Sequence, residues 1–296
     1  MHNYLEPDVI ARAQALGLKA RTIVEGLRVG DHRSPFRGFS VEFVQHRQYA
    51  PGDDIRHIDW KSYGRTERYT IKQYEQETNF LGHILVDASR SMLYGQGETN
   101  KLEYAKLLAA TLAYLIIHQR DSAGLSIFDA GWRTRLPVSG QPGHVQTILE
   151  ALESAEPRDK TAVGPILHEL AQGVRRRGLV FLISDCFDDV ERLLLGLKHL
   201  RFQGHEVTVF HVLHADELLL PFDGMIKFDG LEERLHLLAR PQLIRPAYQR
   251  ALEKFLTELR AGCEANRCDY VLMDTSRPLA NTLTEYLARR LRVRLR

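Results

Sequence analysis

The sequence predicts an α/β protein built on a doubly wound, mostly parallel sheet, and three observations carry that expectation. From Leu81 onward, short apolar runs alternate with segments of helical length and period, the rhythm of parallel strands joined by crossovers. The run FLISD is apolar on successive residues, as a strand covered on both faces must be. Several runs also stop at an aspartate, at Asp87, Asp129, Asp185 and Asp274, and the carboxyl ends of parallel strands are where open α/β sheets bind ligands.

Taken in order, Asp8 to Leu27 carries apolar residues at helical spacing. Gly30 to Thr78 is rich in aromatics, arginine and turn residues, with alternating runs FSVEFV and RYTIKQY, and reads as a small β-rich module. The expected organisation is an N-terminal helix plus β-rich module over residues 1–80 and a sheet domain over 81–296. In the sheet domain the core strands are HILVD, GLSIFD, GLVFLISD, HEVTVFHVL and DYVLMD. The helices are expected at about Lys101–Gln119, Gly143–Ser154, Val163–Arg176, Asp188–Arg201, Pro246–Ala265 and Leu279–Arg290. WRTRLP reads as an edge strand paired with GLSIFD across Ala130 and Gly131, and MIKFDGLEERLHLL as a hairpin turning at Asp229 and Gly230.

At 296 residues, 44% apolar and 26% charged, the chain has the composition of an ordinary globular protein. A net charge of +2 exerts no global pull toward nucleic acid or membranes. The basic terminus RRLRVRLR suits the negative end of a helix dipole, and without a charged face elsewhere it makes a poor nucleic-acid reader. Three cysteines with no even framework suit a reducing compartment. The N-terminus lacks a secretion signature, and the longest apolar stretch, Leu107 to Ile117, is shorter than the roughly 18 residues a membrane span requires. The expectation is a cytoplasmic protein without a membrane span.

The segment LVDASRSM, Leu85 to Met92, puts a carboxylate and two hydroxyls at the mouth of a buried strand. A sharp loop can turn Asp87, Ser89 and Ser91 toward one point, giving one charged and two neutral oxygens for a hard cation such as Mg²⁺. Thr161, in the loop PRDKTAVGP, and Asp185, at the end of the most apolar strand, are the candidates for two further oxygens. Hydroxyl caps are the competing role: Ser89 and Ser91 suit the loop and following helix, and Thr161 the N-cap of the helix holding Val163 to Leu170.

DASRS followed by Thr161 and Asp185 resembles the metal-ion-dependent adhesion site of von Willebrand factor A domains, in that family's order and element context. The block SPFRGFSVEFVQHRQYAPGDDIRHIDWKSYGRT, Ser34 to Thr66, resembles the signature of a bacterial family filed as domain of unknown function fifty-eight. Members of that family pair this block with a von Willebrand factor A-like domain and are typically encoded beside MoxR-type AAA+ ATPases. The resemblance implies a von Willebrand factor A-like sheet behind a small N-terminal β-rich module. It also implies a non-enzymatic, metal-dependent interaction role, with Asp87, Ser89, Ser91, Thr161 and Asp185 as Mg²⁺ ligands and Mn²⁺ as the alternative ion. The implied partners are an AAA+ ATPase of MoxR type and a client offering an acidic residue to the ion's open position, in protein-complex assembly or maturation.

The alternative is a metal-dependent hydrolase using the same carboxylates and a water nucleophile. No histidine falls in the metal loops, His168 being the nearest, on the helix after Thr161. A haloacid-dehalogenase template needs a second aspartate where Ser89 sits, and the P-loop and GxSxG patterns are absent. Cys263 and Cys268 lack the spacing and histidines of a zinc site, and Cys186 is expected to pack under the strand-end site. In PGDDIRHIDW, Pro51 to Trp60, which holds the block Gly52 to Trp60, the acids Asp53 and Asp54 have Arg47, Arg56 and Arg65 as partners for a structural network or a docking surface. An acid–base cluster of Asp53, Asp54, His57 and Asp59 is the least favoured reading, since Asp54 and His57 fall on opposite sides of an extended strand.

Overall fold

The structure, a computed structural model, describes residues 42–49, 59–75, 81–232 and 236–294. The chain divides into two compact units, one spanning Phe36–Phe80 and the other containing Leu81–Arg296.

In the smaller unit, β1 (Glu42–Gln48) pairs antiparallel with β2 (Thr70–Glu75). Between them lies a helix, Trp60–Thr66, within the segment that the sequence reading gave only as a β-rich module. Asp59 starts it: the carboxylate accepts the backbone N–H groups of Lys61 and Ser62 at 3.0 and 3.1 Å, satisfying donors that a first turn leaves orphaned. Asp59 is thus a helix cap. The helix stops at Glu67, in left-handed backbone with φ 55°, and Tyr63 stacks on Tyr69 at 4.5 Å. Asp53, Asp54, Arg56 and His57, and the helix expected over Asp8–Leu27, lie outside the described residues.

The larger unit holds a six-stranded sheet whose spatial order is β10, β7, β6, β3, β4, β5. Its strands are β3 (Leu81–Asp87), β4 (Ser122–Phe128), β5 (Trp132–Ser139), β6 (Leu179–Ser184), β7 (Glu206–Leu213) and β10 (Asp269–Asp274). Neighbours run parallel except β4 and β5, where a turn at Asp129–Gly131 leaves no room for a crossover. Every residue of β6 is buried, which explains its unbroken apolar sequence. Alternation along β6 sends Val180 and Leu182 to one face. There they join Val163 and Leu167 of the helix Val163–Gly173, Leu197 of the helix Val190–Phe202, and Leu259 of the helix Pro241–Ala265. On the other face Phe181 stacks on Phe210, and Tyr286 of the helix Leu279–Arg294 meets Phe210 edge-on. Each such fully buried side chain contributes about 1.5–3 kcal/mol.

The helices Val163–Gly173 and Val190–Phe202 approach at backbone distance. A Cβ on Gly164 would stand 3.0 Å from the Arg192 carbonyl carbon, and one on Gly196 2.7 Å from the Leu167 Cβ. That closeness sets the loop before the first helix, which carries Thr161, against the loop before the second, which carries Asp185.

Some boundaries differ from the sequence reading. The long helix begins at Pro241, whose missing N–H costs nothing in a first turn, and Pro246 lies inside it. The hairpin exists, as β8 (Ile226–Asp229) and β9 (His236–Ala239), but Asp229 pairs with His236 and so belongs to the strand rather than to the turn. A short helix, Ala215–Leu219, went unforeseen because His214 is its cap, closing a capping box with Glu217 in place of the usual serine or threonine. Among the described residues no helix is long and apolar enough to cross a membrane.

Candidate functional site

Strand order reverses at β3: the chain leaves toward β4 on one side and returns to β6 on the other. The crevice outside the carboxyl ends of β3 and β6 is therefore the topological switch point, where such sheets bind ligands. Asp87 closes β3 and Asp185 follows β6 directly, both fully buried.

Local chemistry shapes the first loop. The Asp87 Oδ1 accepts the Ser89 N–H at 2.9 Å, turning the chain sharply out of the strand into the one-turn segment Arg90–Leu93. Ser89 Oγ and Ser91 Oγ come together at 3.0 Å, both buried. The second loop is tied to the first by the Arg90 N–H on the Asp159 carbonyl (2.9 Å) and to the end of β4 by the Ala162 N–H on the Asp129 carbonyl (3.2 Å). These ties bring Thr161 Oγ1 to Asp87 Oδ2, to which it donates at 2.8 Å. The N-cap of the helix Val163–Gly173 is Ala162, so Thr161 does not cap it, and Ser89 makes no capping bond to the segment it precedes. The third loop holds Asp185, whose Oδ1 accepts the Phe187 N–H at 3.3 Å, and Cys186 in left-handed backbone with φ 55°. Asp87, Ser89, Ser91 and Thr161 thus form one hydrogen-bonded cluster, with Asp185 across the switch point.

Burial, and then the charge of Asp185, push the Asp87 carboxyl up to about 7 from its usual 3.8. Two carboxyl groups stand out of water here, and the side chains that reach Asp87 offer hydroxyl oxygens, so the residues fit a hard divalent ion. Among the described residues no three His, Cys, Asp or Glu side chains converge as a metal group. An ion here would accordingly rest on Asp87 and Asp185 with the neutral oxygens of Ser89, Ser91 and Thr161. The Cys186 thiol is buried beneath, and burial followed by the charge of Asp185 raises it well above its ordinary value, so it stays protonated.

The sign of the Asp87 shift gives a pH dependence. Because the folded carboxyl keeps its proton until about 7 while the unfolded one loses it near 3.8, stability falls as pH rises through that window and stays reduced above it. His83 and His211, held neutral by burial with values of about 4, act oppositely over part of the range. The difference between wild type and Asp87→Asn isolates the carboxylate. In chelator, urea melts should show Asp87→Asn gaining on wild type by a few kcal/mol between pH 5 and 8; a pH-independent difference would show that Asp87 ionises freely.

The family profile described as "Protein of unknown function DUF58" matches residues 45–256. The chain belongs to the DUF58 family. It is 26% identical over 232 residues to uncharacterized proteins of Mycobacterium bovis and Mycobacterium tuberculosis, a match covering 77% of this chain and 72% of each relative. Among solved structures it is similar to BatB from Bacteroides thetaiotaomicron, at 19% identity and TM-score 0.47 over 72% of this chain and 99% of that one. It is also similar to the SpRpn10 VWA domain, at 15% identity and TM-score 0.39 over 70% of this chain and 94% of that domain.

The site of this DUF58 chain includes groups that motif reasoning missed. Ser184 donates to Asp87 Oδ2 at 2.6 Å and accepts the Cys186 N–H at 2.9 Å, stitching β6 to β3 at the switch point. Lys101 lies fully buried, its Nζ 2.8 Å from Asp185 Oδ2 and 2.7 Å from Glu217 Oε1. Burial works to lower this ammonium, but the two carboxylates outweigh it and the pKa is raised, so Lys101 is charged. The one signal in the sequence was positional. Lys101 opens the helix Lys101–His118 directly after the Asn100 cap, at the end where the helix dipole disfavours a cation. His168 pairs with His199 between their two helices.

Proposed function

We propose that this DUF58 chain is a non-enzymatic, metal-dependent protein-interaction module that works with a MoxR-type AAA+ ATPase in assembling or maturing protein complexes. The observation that carries the reading is the hydrogen-bonded cluster at the switch point: a buried carboxylate of raised pKa, with hydroxyls from separate loops beside it and a second carboxylate opposite. Asp87, Ser89, Ser91, Thr161 and Asp185 would hold Mg²⁺ or Mn²⁺. When bound, the ion supplies attraction for a carboxylate from a partner. The chain's own residues prepare for that. Asp87 and Asp185 provide charge, and the Asx turn at Ser89 aims the loop. The hydroxyls fill donor positions without adding charge, so the cation's field is only partly quenched. The identity of the ATPase rests on the resemblance of Ser34–Thr66 to its family.

The full chain, immobilised, should capture a MoxR-type AAA+ ATPase in millimolar Mg²⁺ and release it in chelator. Capture indifferent to chelator would overturn metal dependence. Mg²⁺-dependent hydrolysis of ester or phosphoester probes, lost in Asp87→Ala, would favour the hydrolase instead.

A further inference from the structure

We propose that Lys101 is a built-in counter-cation of the carboxylate site, holding Asp185 aimed while keeping a divalent ion loosely bound. The inference rests on the reading of Asp87, Ser89, Ser91, Thr161 and Asp185 as that ion's ligands.

A lysine with no exposed side-chain surface is tolerated only where anions compensate it, and Lys101 has two, Asp185 and Glu217. The arrangement is held from every side. Glu217 is anchored by its other oxygen, Oε2, which accepts the His214 N–H at 2.8 Å. The Phe187 ring lies 5.1 Å from the ammonium. Asp185 is held on Oδ2 by Lys101 and on Oδ1 by the Phe187 N–H, so its carboxylate plane is fixed without a metal. Lys101 makes no hydrogen bond to Asp87, Ser89, Ser91 or Thr161. Among the proposed ion ligands it therefore bonds Asp185 alone. Its charge has two consequences. It cancels part of the negative potential of Asp185, which weakens the pull on a divalent ion sharing that carboxylate. It also leaves the bound ion less neutralised, and so more attractive to a carboxylate arriving from outside.

The role can be told from simple scaffolding by the sign of two substitutions. Lys101→Met and Glu217→Gln break the same ion pair, so a scaffolding role would loosen ion binding in both. An electrostatic role moves them oppositely. Lys101→Met removes a positive neighbour and should tighten Mg²⁺ and Mn²⁺ binding by roughly tenfold or more, while Glu217→Gln removes a negative one and should weaken it several-fold. The double variant Lys101→Met/Glu217→Gln leaves one buried charge fewer unpaired than Lys101→Met alone and should fall between the two.

The experiment is titration of the full chain with Mg²⁺ and with Mn²⁺ alone, by calorimetry, with melting in chelator to establish folding. Shifts of opposite sign support the proposal, and so does an ion response in Lys101→Met that wild type lacks. Shifts of the same sign, or a folded Lys101→Met that binds no tighter than wild type, overturn it. Should Lys101→Met fail to fold, Glu217→Gln and the double variant decide: weaker binding in Glu217→Gln that the double variant reverses supports the proposal, and unchanged or tighter binding in Glu217→Gln, or a double variant that binds no tighter than it, overturns the proposal. The wild-type arm separates the two ideas. Ion binding in wild type with the wrong signs in the variants defeats only the role of Lys101, whereas no ion response in wild type or any variant defeats the metal site as well.

Discussion

Asp87→Ala should abolish the stabilisation that Mg²⁺ or Mn²⁺ gives the wild-type chain. An ion that binds only the folded state adds RT ln(1 + [L]/Kd), about 2.7 kcal/mol at a hundredfold excess over Kd. For a domain of this size that is a rise of roughly 5–10 °C in melting temperature. Asp87 is the residue to remove because everything converges on it: Thr161 and Ser184 donate to one oxygen and the Ser89 N–H to the other. Its loss has opposing effects on the ion-free protein. A buried carboxylate disappears, which relieves desolvation, but donors lose their acceptor. The informative quantity is therefore the difference between Mg²⁺ and chelator measured within each variant. A melting temperature that does not move between the two conditions in wild type or in Lys101→Met would defeat the ion site, and an equal rise in Asp87→Ala would place the ion elsewhere.

Ser91→Asp should separate ion binding from partner binding. Ser91 lies 3.0 Å from Ser89 in the loop, and an added carboxylate there would keep or raise metal affinity. It would also quench the field on which a partner's acid depends, so capture of the ATPase in Mg²⁺ should fall by about a hundredfold, the scale of losing one member of a buried charge pair. Ser91→Ala, which removes an oxygen and adds no charge, should weaken both. A hydrolase predicts a different split. Extra ligand charge raises the pKa of metal-bound water, so Ser91→Asp would lower turnover with no partner present. Parallel measurements of ion affinity, capture and hydrolysis on the two variants distinguish these outcomes, and capture that ignores both substitutions would sink the adhesion-type mechanism.

Much of the fold was legible because its signals are local. The apolar run through β6 announced a strand buried on both faces, and the Asp-Ser-Ser loop was visible because an aspartate that ends a strand and bonds the N–H two residues on makes its own turn. The turn at Ala130 and Gly131 likewise marked WRTRLP as an edge strand paired with GLSIFD, and β5 pairs antiparallel with β4 there. Where the reading slipped, a competing local signal had been trusted. Pro246 looked like a helix start, but Pro241 holds that place. Asp59, one acid of the block PGDDIRHIDW, was given no role of its own, and it caps a helix whose first turn has no other acid.

Local pattern was enough to put Asp87, Ser89 and Ser91 in one loop at the carboxyl end of a parallel strand, because strand period, burial and Asx-turn chemistry operate within a few residues. The rest waited on packing. Thr161 meets Asp87 across 74 positions and Lys101 meets Asp185 across 84, contacts that exist only because β6 returns beside β3 and brings three loops to one point. Whether a hydroxyl caps a helix or turns to a carboxylate, and whether a lysine at a helix start faces solvent or a buried anion, depends on which strand becomes its neighbour. That choice is made by burial of the whole sheet, which no short window of residues contains.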